Sequence, residues 1–582
     1  MRVSGPGDGL FRHRGLIALA VGLSVLECGI LVLVGPHASR GLAPQVTAPS
    51  PFGAFHDLRW LLVYHRSWST LGFELAALLA FRGALDALLL RLARPPDAES
   101  VPFRTSFAHC VGFTAVALVA LAPWTLLLFA LAIIPISWLF FASIPPAIAT
   151  VVLVHHGAAR VGWWRALPPL RTSAWMLATF AVLTLGSLAI SLSPVWPLAL
   201  LSAAATGLFN AWAWTSIVRG LEHARPGERA GLGRVRRWVP VAPIALASIF
   251  AIVVGGSAIG FAAHQPAEPK AVAALAPSGH GAPVLVVSGF ASHWDGSPVD
   301  FLGPGFREWR FSYRGLGADG EPLAYGSNDT QQSLAALDRL MAQQVDAISR
   351  ATGERVAIVA ESEGSLVAKT YVLAYRDAPV RSLVMLSPLV RPGRVYYPAE
   401  DTDGWGTLTG WGLRGVSQLL SGLSPLELSP DSPFVRDVDQ HGAALRDALA
   451  CSAPGITQFA YVPLADAVSA PLEDEQDVED PAGLGSVRVR VVPAFHGGLL
   501  GDKTVERMVR QDLEGNAPRT ETSWTTAGAM IRGAAAAWQV PDLPVQLNPV
   551  WQSTEHPGLA SPVRSARCDA VRSELRAMVG AP

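Results

Sequence analysis

Charge is scarce in this chain. Only 16% of its 582 residues are Asp, Glu, Lys or Arg, against 50% hydrophobic, and the mean hydropathy is +0.33. That balance excludes a disordered or fully solvated polypeptide. Neither sign is in excess: 45 basic and 46 acidic side chains leave a net charge of -1, so no global basic field points to nucleic acid as a partner. Cysteine is equally sparse, with four in the chain and no CxxC or clustered His/Cys spacing to argue for a zinc site. What the chain does have is long apolar runs, which stop near residue 263 and give way to shorter strand-like and helix-like segments.

Seven of those runs can span a bilayer core of ~30 Å. They are residues 15–34, 68–90, 110–133, 136–154, 172–191, 196–217 and 239–262. The first follows Arg2, Arg12 and Arg14, as a signal peptide would, but no small-residue cleavage site comes after it, so it reads as a retained helix. The block 110–154 is too long for one crossing and is divided at Ile134, Pro135 and Ile136. Arginine orients the set, because Lys and Arg accumulate in short cytoplasmic loops. Segments left inside carry 15 Arg, whereas outside loops before the last span carry Arg40, Arg59 and Arg66. The amino terminus is therefore expected in the cytoplasm and the second half on the extracytoplasmic side. Arg82 and Asp86, one turn apart in a span that also holds Glu74, are expected to neutralise each other. Trp163, Trp164, Trp196 and Trp238 fit interfacial anchors, and no repeat or broken-helix pair marks a transporter.

An Ala/Pro-rich linker, 264–280, leads to the second half. Cys28 and Cys110 fall in expected spans, leaving Cys451 and Cys568 free to form a disulfide in an oxidising compartment. The chemistry centres on residues 356–365. VAIVA reads as a buried strand and runs straight into Glu361-Ser362-Glu363-Gly364-Ser365, after which LVAKTYVLAY has helical spacing. A serine on a tight strand-to-helix turn needs small neighbours two positions either side, and Ala360 and Gly364 supply them. Later strand-like stretches end at Asp466 (456–464) and His496 (487–495), in the chain order of a Ser-acid-His triad. The plain alternative for Ser362 is an ordinary helix N-cap. Asp401 or Asp403, after a strand over 380–386, rival Asp466, and His293, His441 and His556 compete with His496.

Residues from about 281 to 515 resemble the α/β-hydrolase superfamily in its lipase/esterase-like branch. The resemblance rests on Val287-Ser288-Gly289-Phe290, on Phe311 to Gly315 leading to Asn328-Asp329-Thr330, on the Ala360 to Gly364 elbow and on His496 to Leu500; Leu428 to Phe434 is similar to a segment of lipase caps. It implies Ser362 as nucleophile, His496 as general base and then acid, Asp466 as the orienting carboxylate, and the backbone N–H groups of Phe290 and Glu363 as oxyanion hole. No cofactor and no metal are implied. Glu361 and Glu363 flank the nucleophile, where a carboxylate either raises the imidazole's basicity or opposes the oxyanion.

The expected architecture is an all-α polytopic membrane domain (1–263), then an α/β-hydrolase domain with a mainly parallel, doubly wound sheet, helices on both faces and a helical cap (about 389–449). A carboxy-terminal extension, 516–582, has no assigned role. The cap segment either covers an acyl pocket or packs as a subdomain of its own. The acidic run from Glu473 to Asp480 lacks the glycine of a calcium loop and reads as solvated. The expected function is cleavage of apolar or lipid-derived esters beside a bilayer through an acyl-serine. An acyltransferase with the same triad, or a non-catalytic scaffold, sensor or transport component, are the alternatives.

Overall fold

The computed structural model describes residues 6–34, 37–95, 98, 101–131, 137–160, 163–165, 168–193, 195–222, 242–249, 251, 281–389, 406–423, 429, 431–465, 487–516, 522–538, 541 and 561–581. The first half is helical: α1 (Pro6–Val34), the short α2 (His37–Arg40), α3 (Phe52–Tyr64), α4 (Trp68–Ala93), α5 (Phe103–Leu131), α6 (Ser137–Val154), α7 (Leu170–Ser191) and α8 (Trp196–Glu222). Six of the seven expected spans coincide with α1, α4, α5, α6, α7 and α8; the seventh lies mostly outside the described residues, with 242–249 helical. Three stretches, His13–Leu33, Phe103–Leu128 and Leu170–Ser191, are long and apolar enough to cross a membrane, and Ala142–Gly157 is a shorter apolar helix. Among the described residues, length and composition thus support three crossings and do not confirm the seven expected. Large apolar side chains such as Leu33, Phe73, Val119 and Leu185 nevertheless stand outward along these helices, a surface that water does not tolerate over wide areas.

Helix α3 falls in what the sequence reading treats as an outside loop, and it is mostly buried. Its Arg59 donates to the Ala537 carbonyl at 2.9 Å, so that charge is a packed group and no loop marker. The expected Arg82–Asp86 ion pair is present, and Asp57 of α3 joins it as a closer partner. Arg82 donates Nε–H and Nη2–H to the two Asp57 oxygens, each at 2.7 Å, whereas Asp86 lies 3.8 Å from Nη1. A side chain one turn along the same helix cannot meet both parallel donors of the guanidinium fork; one from a neighbouring helix can. Gly53 makes room, since a Cβ there would overlap the guanidinium. Trp164 and Trp196 are exposed as interfacial anchors would be, but Trp163 is buried edge-on against Phe113, and Trp238 lies outside the described residues.

The second half holds six parallel strands: β1 (Ala282–Val287), β2 (Phe306–Arg310), β3 (Val356–Glu361), β4 (Val380–Leu386), β5 (Thr457–Ala465) and β6 (Arg488–Phe495), in the order β2-β1-β3-β4-β5-β6. The reversal between β1 and β3 makes the sheet doubly wound, and its alternating side chains feed two cores. Leu285, Val287 and Ile358 pack beneath α9 (Leu334–Thr352) and α10 (Glu363–Ala374). On the other face, Val284, Val286 and Val359 meet Val505 and Val509 once the chain turns into α13 (Lys503–Leu513). This arrangement is consistent with an α/β-hydrolase fold.

The expected cap is divided between the two halves. Its α12 (Pro433–Ala450) packs on α10. Its α11 (Thr407–Leu423) instead docks on α3, α4 and α5. There Gly406 N–H donates to the His65 carbonyl (2.8 Å), Leu408 N–H to His65 Nε2 (2.8 Å) and Thr409 Oγ1–H to the Leu62 carbonyl (2.7 Å). The residues after 515 also have a place. Helix α14 (Thr522–Ala536) packs on α7 and against β5 and β6; α15 (Ser561–Val579) joins the core beneath α10 and is tied to α12 by the Cys451–Cys568 disulfide. The linker 264–280 and the acidic run 473–480 lie outside the described residues.

Candidate active site

Strand β3 is buried along its whole length and ends one residue before Ser362. Ser362 adopts φ 54° and ψ -119°, a conformation an L-residue holds only where surroundings over-determine it. Those surroundings are visible: Ser362 N–H donates to the Leu386 carbonyl of β4 at 2.8 Å, and Ser365 N–H closes the first turn of α10 onto the Ser362 carbonyl at 3.0 Å. The small neighbours are required sterically. A Cβ on Gly364 would stand 2.8 Å from the Ser288 carbonyl oxygen and 2.8 Å from Val287 Cγ1, and Ala360 is fully buried in β3.

His496 follows directly on β6, and its Nε2 lies 2.9 Å from Ser362 Oγ across 134 residues of sequence. Both side chains are 3% exposed. The structure thus brings together two of the three expected triad members. Asp466 and its rivals Asp401 and Asp403 lie outside the described residues, as does His556. His293 is exposed, and His441 sits within α12.

The loop after β1 lies against the serine, since a Cβ on Gly289 would approach Ser362 Cβ to 2.8 Å and Oγ to 3.3 Å. Thr330 pins this loop by accepting the Ala291 N–H at 3.0 Å, with Ala291 itself at φ 61°. The buried Tyr313 hydroxyl donates to the Ser288 carbonyl at 2.5 Å, and the Arg310 guanidinium to the Ser288 hydroxyl. Phe290 and Glu363 stand on this loop and at the first position of α10, where a helix N–H has no carbonyl of its own helix to meet.

The two flanking carboxyls have different environments. Glu361 Oε1 accepts the Leu499 N–H at 2.7 Å, so the residue before the nucleophile holds the loop that carries His496. Burial raises its pKa, and hydrogen bonds from Leu499 and Leu500 with the nearby imidazole oppose the shift. Glu363 is fully buried, and among the described residues neither of its carboxyl oxygens has a hydrogen-bond partner. Burial pushes its pKa well above the ordinary carboxylate range, a shift that favours the neutral form over the charged one. Sequence reasoning missed the supporting roles of Glu361, Tyr313 and Thr330. All three lie inside passages that carry the family resemblance, but nothing in those passages showed which groups they would hold. Among the described residues no group of three His, Cys, Asp or Glu side chains is placed to hold a metal ion.

Solved structures similar to this chain include esterases and a lipase. A Burkholderia cenocepacia protein solved as a candidate aryl esterase is 16% identical at a TM-score of 0.27, the likeness covering 42% of this chain and 99% of that one. An esterase from Exiguobacterium antarcticum is 18% identical at 0.23, over 40% and 91%. Lipase B of Aspergillus fumigatus is 16% identical at 0.23, over 48% and 66%. No protein-family model and no curated protein matches the chain.

Proposed function

We propose that this chain is a membrane-anchored serine hydrolase that cleaves carboxylic esters through an acyl-serine intermediate. The observation that carries the reading is the Ser362 Oγ to His496 Nε2 contact of 2.9 Å at a strained strand-to-helix turn. An ordinary N-cap serine would accept a backbone N–H of its own helix, and the Ser362 side chain makes no such bond. In the proposed reaction His496 takes the hydroxyl proton as Ser362 attacks the ester carbonyl. The negative oxygen is held by the N–H groups of Phe290 and Glu363, and His496 returns the proton to the departing alcohol. Water then enters by the same base to release the acid. Asp466 is the proposed carboxylate behind the imidazole.

Apolar, lipid-derived esters are the proposed substrates, because the outward apolar surface of α1, α5 and α7 suits a bilayer and sets the site beside one. We place the amino terminus in the cytoplasm and the hydrolase domain outside. The Arg distribution favours this orientation, and so does a disulfide of the kind that persists in oxidising compartments. Purified protein tested on chromogenic esters of increasing acyl length is expected to cleave the longer ones best, with Ser362→Ala inactive. A glycerol acceptor included in the assay separates hydrolysis from acyl transfer. A folded wild type that cleaves no ester, with or without acceptor, would overturn the proposal in favour of a binding role.

A further inference from the structure

The helical half contains a cleft that ester cleavage does not use. It lies among α3, α5, α6 and α7, floored by Trp538 just beyond α14, and is a narrow, partly open cleft. Apart from Ser143, its lining side chains are aliphatic or aromatic. Prolines interrupt the neighbouring helices, Pro123 in α5 and Pro145 and Pro146 in α6, where each removes a backbone donor.

Polar atoms near the cleft are satisfied among themselves. Trp124 Nε1–H donates to Thr150 Oγ1 (3.0 Å), Thr150 to the Pro146 carbonyl (2.9 Å) and Thr125 to the Leu121 carbonyl (3.0 Å). Trp538 stacks on Phe180 with ring centroids 4.6 Å apart and donates its own N–H to Thr184 (2.9 Å). A water needs two to four polar partners and finds too few here, and a soluble ligand would lack the convergent polar groups that fix orientation. Phe52, Leu121, Val151 and Trp538 form a buried wall, while Leu128, Ile144 and Ile148 at the other side are partly exposed. The open side therefore belongs to α5 and α6, among helices whose outer surface is apolar.

We propose that this cleft binds a single acyl chain of a membrane lipid. The proposal rests on the membrane placement given above, and the test separates the two. The full chain is reconstituted in phosphatidylcholine vesicles doped with a phospholipid that carries a diazirine midway along one acyl chain; it is then irradiated and the adducts are mapped. Adducts are expected on the buried Leu121, Val151 and Trp538, as well as on the outward Val119 and Leu185. In Ala147→Trp, whose indole fills the cleft, the buried adducts fall about tenfold while the outward ones persist, a loss equal to about 1.4 kcal/mol of binding. Ile148→Phe at the mouth gives the same pattern with less disturbance should the first variant fail to fold. Adducts on Val119 and Leu185 without any on the buried wall would overturn the acyl site and leave the membrane placement standing. Adducts nowhere on the helices would overturn both.

Discussion

Replacing Gly289 by alanine tests whether the loop after β1 and the nucleophile form one fitted unit. The added methyl would meet Ser362 Cβ at 2.8 Å, the Glu361 carbonyl oxygen at 3.3 Å and Ser362 Oγ at 3.3 Å. Carbon atoms rest about 3.5–4.0 Å apart, so the loop or the serine must retreat by roughly 1 Å. Ser362 has little freedom to move, being held by the Leu386 carbonyl and the turn of α10, so most of the displacement falls on the loop after β1. A misplacement of that size costs on the order of 10²-fold in rate, and the overpacking itself about 1–3 kcal/mol of stability. Ester cleavage by the purified variant is the assay, with thermal unfolding beside it. Gly305→Ala is the control, because a Cβ there meets nothing within 4 Å. If Gly289→Ala cleaved esters as fast as Gly305→Ala, the reasoning about the loop would be refuted.

Three further expectations concern the globular half. Cys568→Ser opens a link spanning 117 residues and should lower stability by about 2–5 kcal/mol, read as a drop in unfolding midpoint that reductant reproduces in the wild type. Lys369 is buried, donates to the Cys451 carbonyl and Gln458, and burial lowers its pKa to about 7. The unfolded chain keeps that proton to near 10, so stability should rise from pH 7 upward by at most about 1.4 kcal/mol per unit, and denaturant titrations of Lys369→Met should lose that slope. Asp512 accepts from Arg490 at 2.6 and 3.0 Å and from the Tyr461 hydroxyl at 2.5 Å. Asp512→Ala removes the buried carboxylate that Arg490 and Tyr461 share and should cost up to about 3–5 kcal/mol; a change below 1 kcal/mol in denaturant unfolding would contradict the pairing.

Much of the globular half was legible because its signals are local. A β-branched run ending in small residues around a serine dictates a buried strand and a tight turn, and the helix after Ser362 shows its own apolar spacing. His496 was legible by chain order after the last strand. Less local features were hidden. Glu361 reaches a loop 138 residues away, and nothing in its neighbours announces this. Arg82 pairs with Asp86 as its spacing suggests, but its closer partner Asp57 comes from the meeting of helices α3 and α4, which periodicity along one helix cannot show. Helix α3 itself was missed because its Arg59 and Asp57 resemble loop residues until their buried partners are in place. The 516–582 segment offered no role for a similar reason: α14 is defined by the surface of α7, and α15 by a disulfide to a distant helix.

The central claim is that Ser362 is an activated nucleophile, and a fluorophosphonate probe reads that directly. Membranes carrying the wild type should label at Ser362, and labelling should vanish in Ser362→Ala and fall by orders of magnitude in His496→Ala, since the imidazole 2.9 Å away is the proposed base. A wild type that folds, is recovered intact and remains unlabelled would contradict the account. The paired serine and histidine would then have to be explained as parts of a binding surface.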